Sequence, residues 1–230
     1  MKRKFKVLLT RRLHAFALSE LRERCEITIH SGKIPMPKQK ILEEIKDKDG
    51  LICFPYDIID QEILDSANKL KTISTYSVGF DHIDINYAKN KRITIGYTPD
   101  VLTNATAELT IGLILDLLRR ITEGDHIIRK GKWNEIFGPF DYVGTEVSGK
   151  TLGILGMGRI GKTVAKKASS LGMNILYHNR KSIVNTGKAK YVSLNELFKK
   201  SDVISIHIPY SKNTHHMINS ALLRKMKKMS

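Results

Sequence analysis

Residues 156–161 read Gly-Met-Gly-Arg-Ile-Gly and fall between an apolar run, Thr151 to Leu155, and a helical pattern from Arg159 to Leu171. A chain that must pass from strand to helix through so short a turn is restricted to a βαβ unit with a parallel partner strand. Gly156 permits the tight turn, Gly158 lets backbone approach a diphosphate, and Gly161 lets helix and strand pack closely. Arg159 and Ile160 then open the helix whose positive end faces the phosphates. The same stretch also fits a P-loop, because Gly156 is followed after four residues by Gly161-Lys162-Thr163. A P-loop needs a later strand ending in Asp to hold magnesium, yet Val203 to Ile208 has Asp202 at its start and Pro209 at its end. The one apolar run ending in Asp, Ile111 to Asp116, precedes the loop and reads as helix. A dinucleotide site needs a strand ending about 20 residues further on, and Asn174 to His178 ends there. The dinucleotide reading is therefore favoured, with a P-loop NTPase as the remote alternative.

The residues after that strand, Asn179-Arg180-Lys181-Ser182, lack the acid that would accept the ribose hydroxyls of NAD. Arg180, Lys181 and Ser182 suit a 2′-phosphate through charge-assisted hydrogen bonds, so NADP(H) is expected in preference to NAD(H). The plainer reading is two solvated surface cations.

Upstream, short apolar runs alternate with helical patterns. Strands are expected at Phe5 to Leu9, Glu26 to His30, Leu51 to Phe54, Thr72 to Tyr76 and Ile93 to Tyr97. Helices are expected at Ala15 to Arg24 and near Pro37 to Lys46, Asp60 to Asn68 and Asp84 to Asn90. After Pro99 a long apolar helix is expected, capped by Thr103 or Asn104, with Glu108 in its first turn and a stripe of Leu109, Leu113, Leu117 and Ile121. A helix this apolar is normally buried against another domain or subunit. The boundary is placed there, giving domains 1–102 and 103–230, with an irregular segment from Gly131 to Gly149. A last helix is expected from Asn219 to Lys228.

Composition narrows the function classes. With 230 residues, 41% hydrophobic and 6 Pro, the chain is an ordinary globular α/β protein and excludes disordered and collagen-like classes. The net charge of +16 suits anionic partners or a solvated lysine surface, but the cations are scattered without interleaved aromatics, so no nucleic-acid partner is expected. Cys25 and Cys53 form no metal-ligand spacing and no disulfide framework, so no metal is expected. The longest apolar run, Leu109 to Leu118, is interrupted by Asp116 and too short for a bilayer; no membrane partner and a cytoplasmic location are expected.

Six segments in order resemble the D-isomer-specific 2-hydroxyacid dehydrogenases, most closely their archaeal glyoxylate or hydroxypyruvate reductase branch, across the whole chain. They are Ser77-Val78-Gly79-Phe80-Asp81-His82-Ile83-Asp84, Asn104-Ala105-Thr106-Ala107-Glu108, the Gly156 to Gly161 loop, Asn179 to Ser182, Ser205-Ile206-His207-Ile208-Pro209, and Thr214-His215-His216-Met217-Ile218-Asn219. The resemblance implies a flavodoxin-like substrate domain, a Rossmann domain after it and an active site in the cleft between them. It implies that the backbone amides of Val78 and Gly79 cradle the substrate carboxylate, as adjacent N–H groups in a glycine turn can. It further implies that Thr106 meets the nicotinamide end and that His207, Pro209 and Thr214 wall the cofactor. The helix after Asn104 resembles the family's dimerisation element, so a homodimer is expected.

Plainer duties are expected for other residues. Asp81, His82 and Asp84 suit turn and cap roles. His215 and His216 are expected to point in different directions, and Trp133 to pack. Reduction of a 2-keto acid needs a cation near the keto oxygen and a proton donor. The family's Arg, Glu and His for these tasks lie in motifs downstream of the Asn219 to Lys228 stretch, so no catalytic residue is assigned and the chain is expected to be a C-terminally truncated form. The expected activity is NADPH-dependent reduction of a small 2-keto acid to the 2-hydroxy acid. The alternatives are a phosphoglycerate dehydrogenase-like enzyme and a non-catalytic dinucleotide-binding module.

Overall fold

A computed structural model describes residues 3–133 and 138–228. They fall into two units, Met1–Val101 and Leu102–Ser230.

The first unit carries strands β1 (Phe5–Leu9), β2 (Cys25–Ile29), β3 (Gly50–Cys53), β4 (Thr72–Thr75) and β5 (Thr94–Gly96). Helices α1 (Ala15–Arg24), α2 (Lys38–Glu44), α3 (Gln61–Ser66) and α4 (Ile85–Asn90) connect them. All pairs are parallel in the order β2-β1-β3-β4-β5, the flavodoxin-like order, which reverses between β1 and β3. Strands covered on both faces read as continuous apolar runs. Accordingly Leu8, Leu51 and Ile73 share one core with Ile41, Ile45, Ile63 and Leu64, whereas Val7 and Leu9 pack with Leu18 in a second. Asp60 caps α3 by accepting from Ile63 N, and Asp84 caps α4 by accepting from Tyr87 N, which is where the sequence starts both helices.

The second unit begins with α5 (Thr103–Arg119) and α6 (Ile121–Arg129). It continues through β6 (Thr151–Leu155), α7 (Arg159–Ser170), β7 (Asn174–His178), β8 (Lys190–Tyr191), α8 (Leu194–Lys200), β9 (Val203–Ile206) and α9 (Ser220–Leu223). Its parallel sheet runs β8-β7-β6-β9, the 3-2-1-4 order of a Rossmann half and its continuation. No helix among the described residues is long and apolar enough to cross a membrane.

Neither Thr103 nor Asn104 caps α5: Leu102 holds the cap position with no side-chain bond. Glu108 is six residues in, and its carboxylate accepts from Lys167 on α7. The helix also stops before Ile121. Arg120 is left-handed (φ 56°), and the Asp116 carboxylate accepts from both the N–H and the hydroxyl of Thr122. Asp116 thereby supplies the start of α6 and ends the long helix. Ala107 and Ile114 face the core, with Ile111, Leu115 and Leu118 beside them. The stripe of Leu109, Leu113, Leu117 and Ile121 is exposed. β9 ends at Ile206, two residues early, ahead of Pro209. The last helix covers only Ser220–Leu223; beyond it Lys225 N and Met226 N donate three residues back, to Leu222 O and Leu223 O, so the chain tightens into turns. Of the irregular segment between Gly131 and Gly149, residues 134–137 lie outside the described residues, and the rest carries no helix or strand.

Candidate functional site

The glycine turn of the second unit is built from backbone. Gly156 has φ +99°, and a Cβ there would sit 2.7 Å from the His207 carbonyl group. A Cβ on Gly161 would run into the Gly156 carbonyl oxygen and lie 3.2 Å from Ile154 Cγ2, so α7 rests directly on β6. At Gly158 a Cβ would meet nothing within 4 Å. That open space beside a helix N-terminus is the fit a diphosphate requires, since the first-turn N–H groups have no intrahelical acceptor.

The turn is tied to the next strand. Gly156 N donates to His178 O at 3.0 Å, and Met157 N donates to Asn179 Oδ1 at 2.7 Å. Asn179 therefore locks the glycine turn with its side chain, while its carbonyl oxygen accepts from Tyr191. Arg180, Lys181 and Ser182 follow as an exposed tripeptide, and among the described residues neither cation forms an ion pair. Ser182 Oγ lies 3.3 Å from the Tyr177 hydroxyl, which also bonds Ile183 through its N–H and C=O.

The same geometry removes the P-loop. Because α7 starts at Arg159, only Met157 and Gly158 remain outside regular structure between Gly156 and the helix, too few to wrap a phosphate. Thr163 Oγ1 donates to Arg159 O within the helix. Asp202 accepts from Thr151 N and Lys227 at the starts of β6 and β9, the wrong end of the sheet for a magnesium ligand.

Opposite the turn, His207 N donates to Leu155 O at 2.7 Å, and its Nε2 lies 2.8 Å from Ser205 Oγ. Burial lowers the pKa of this ring, which keeps it neutral. The Thr214 hydroxyl is engaged within its own turn, donating to Pro209 O and accepting from Ser211 N. His215 and His216 do not diverge as expected: their rings stack with centroids 3.8 Å apart. The alternation of a strand does not apply, because His216 is left-handed (φ 53°). Thr106 sits half-buried on α5, its carbonyl accepting from Thr110. Trp133, expected to pack, is exposed.

In the first unit, Val78 and Gly79 occupy an exposed turn just after β4. Among the described residues neither backbone N–H has an acceptor, which leaves two adjacent donors for an anion. The expected nest is corrected in one respect: neither residue has positive φ, so the cradle is an open turn and not an alternating-handed one. Beneath it lies a polar network that the sequence did not disclose. The Thr75 hydroxyl, fully buried, is 2.7 Å from Ser77 Oγ and 2.9 Å from His82 Nε2, and Ser77 donates to Gly79 O at 2.6 Å. Nearby, Asp57 Oδ2 accepts from Thr10 Oγ1 (2.5 Å) and Phe54 N (2.8 Å), and its buried Oδ1 lacks a partner among the described residues. Cys53 and Cys25 are free thiols. Burial, aided by Asp57, pushes the Cys53 thiol up to about 12.

Residues 111–230 match the model of the D-isomer specific 2-hydroxyacid dehydrogenase NAD binding domain. A glyoxylate reductase of Thermofilum pendens is 47% identical over 228 residues, covering 97% of this chain and 67% of its own length. The D-lactate dehydrogenase of Aquifex aeolicus, solved with NAD and lactic acid, is 31% identical with a TM-score of 0.84 over 96% of this chain and 66% of its own. An acyclic imino acid reductase solved with NADPH and D-Arg is 28% identical with a TM-score of 0.84 over 96% of this chain and 71% of its own. The chain thus spans about two thirds of the proteins it matches.

Proposed function

Because the chain belongs to the D-isomer-specific 2-hydroxyacid dehydrogenase family, we propose that it binds NADPH in preference to NADH and reduces a small 2-keto acid, glyoxylate or hydroxypyruvate. The observation that carries this reading is the turn from β6 into α7, with open space at Gly158 and close contact at Gly156 and Gly161. The nicotinamide cofactor supplies the hydride.

In this reading residues 103–230 hold the cofactor. Gly156, Gly158, Arg159, Ile160 and Gly161 cradle its diphosphate, with Asn179 fastening the turn. Arg180, Lys181 and Ser182 take the 2′-phosphate, which is supported by two exposed cations without carboxylate partners among the described residues and by the lack of an acid in the sequence at the strand end. His207, Pro209 and Thr214 wall the cofactor at the strand end, and Thr106 meets the nicotinamide end. Residues 1–102 hold the substrate, whose carboxylate receives the N–H groups of Val78 and Gly79. The exposed Leu109, Leu113 and Leu117 of α5 favour a homodimer, since an unpartnered apolar helix face seeks a second copy. No residue of 1–230 is assigned as the proton donor.

The test is calorimetric titration of NADPH and NADH into the purified chain, then absorbance of NADPH on adding glyoxylate or hydroxypyruvate. NADPH should bind more tightly, and Arg180→Ala should weaken NADPH by about tenfold or more while sparing NADH, the loss expected for a charge-assisted bond. Equal affinities would remove the NADP preference. Binding without turnover would leave a dinucleotide-binding module, and no binding of either nucleotide would remove the cofactor site.

A further inference from the structure

We propose that His82 is a positioning residue for the substrate turn, acting through Thr75 and Ser77 to hold Gly79; the role rests on the reading that Val78 and Gly79 receive the substrate carboxylate. Four groups form one chain: His82 Nε2, Thr75 Oγ1 at 2.9 Å, Ser77 Oγ at 2.7 Å from Thr75, and the Gly79 carbonyl oxygen at 2.6 Å from Ser77. The last group can only accept, and this fixes the direction of every bond. Ser77 must donate its hydrogen to Gly79, so its oxygen accepts from Thr75. The Thr75 hydrogen is thereby committed, and its oxygen accepts from His82. His82 therefore carries a proton on Nε2.

The two ends of this chain differ in rigidity. Thr75 pairs with Cys53 in the sheet and is fully buried. His82 is fastened by its carbonyl oxygen, which accepts from Ile59 N at 2.8 Å, beside the bridge between Ile59 and Ile83. At the other end Gly79 is exposed and has no side chain with which to fix itself. Ser77 holds the peptide that follows Gly79, and His82 fixes the orientation of Ser77 through Thr75. The competing partner of Nε2, Cys53 Sγ at 4.0 Å, is a neutral thiol at the limit of sulfur contact. Burial also lowers the His82 pKa, against the opposing pull of Asp81 and Asp57, which favours the neutral ring, and the bond to Thr75 is what places the ring proton on Nε2. A turn held in its binding geometry before the ligand arrives binds more tightly because less order is lost on binding.

The experiment uses the full chain labelled with 15N. The ring shifts of His82 should show the Nε2–H tautomer, and a proton on Nδ1 would overturn the proposal. Oxalate, an unreactive mimic of a 2-keto acid, is then titrated while the amides of Val78 and Gly79 are followed. Thr75→Val, Ser77→Ala and His82→Phe should each raise its Kd by about tenfold, the scale of lost pre-organisation. Combining Thr75→Val with His82→Phe should cost no more than either alone, and His82→Gln, which keeps a donor, should restore binding. NADPH affinity should not change. Should the buried Thr75→Val variant fail to fold, Ser77→Ala at the half-buried end carries the same test. Wild-type affinity surviving all three substitutions overturns the role of His82 alone. A wild-type chain whose Val78 and Gly79 amides ignore oxalate overturns the substrate site, and this role with it.

Discussion

Where the strand order reverses, the first sheet furnishes its crevice with side chains, whereas the second furnishes it with bare backbone. In the first, Thr10 after β1, Asp57 after β3 and Thr75 at the end of β4 are buried polar groups: Thr10 and Asp57 bond each other across two loops, and Thr75 bonds His82 in the loop that follows it. In the second, Gly156, Gly158 and Gly161 bring main chain against main chain after β6, and the adjoining loops supply carbonyl groups and one amide side chain. Parallel sheets place ligands at such reversals in either case. The difference teaches that one topology accepts two materials: a backbone site is general for phosphates, and a side-chain network can be specific for one small acid.

Three substitutions test that contrast. The largest effect is expected from Gly161→Ala, whose methyl would meet the Gly156 carbonyl oxygen, an atom of the main chain that cannot turn aside. We expect a loss of about 3 kcal/mol in urea unfolding, the upper end for an overpacked contact, together with loss of nucleotide binding. Gly158→Ala sharpens the point, because the space there is open: stability should hold while NADPH titration shows weakened binding. If both variants lose stability equally, the second crevice is not organised as described. Next is Thr10→Val, which keeps shape but removes a donor from the Asp57 carboxylate 47 residues away. A cost of about 1–3 kcal/mol in the same assay is expected for an unsatisfied buried group, and no cost would mean the first crevice does not depend on its side-chain bonds.

The smallest effect lies outside both crevices. Lys200, with the backbone and hydroxyl of Ser193, holds the exposed Glu196 carboxylate down to about 2 from 4.5. The folded pKa is below the unfolded one, so this contribution is complete above pH 4.5 and is lost as pH falls toward 2. Glu196→Gln should slightly lower the Tm at pH 7 and flatten its fall over that window, and surface screening keeps the change small. A large drop at pH 7 would show that α8 supports the sheet more than either crevice does.

The contrast also explains how much could be read from the residues alone. The glycine turn was legible because close approach permits only glycine, at spacings set by a strand and a helix, and Asn174 to His178 was found from its place in the same unit. Asp60 and Asp84 marked helix starts for an equally local reason. The Thr10 to Asp57 bond leaves no trace in the sequence, since single polar residues in distant loops form no pattern until the sheet assembles them. The break at Arg120 was hidden because Leu113, Leu117 and Ile121 continue the helical spacing across it. The stripe marks the exposed face of α5, while the core takes Ala107 and Ile114, a division between the two apolar faces that the spacing alone does not announce. The stacking of His215 on His216 depends on a left-handed histidine that no spacing announces.

One crossover in the second sheet, from β7 to β8, carries no helix, whereas β6 to β7 and β8 to β9 carry α7 and α8. Its Val184, Asn185, Gly187 and Lys188 are exposed, and Arg180, Lys181 and Lys188 punctuate it with basic sites. Proteases cut where a short stretch can open without unfolding the whole molecule. If the 2′-phosphate sits on Arg180 to Ser182 as proposed, nucleotide and protease compete for the same few residues, and the lifetime of the polypeptide becomes a record of its cofactor supply.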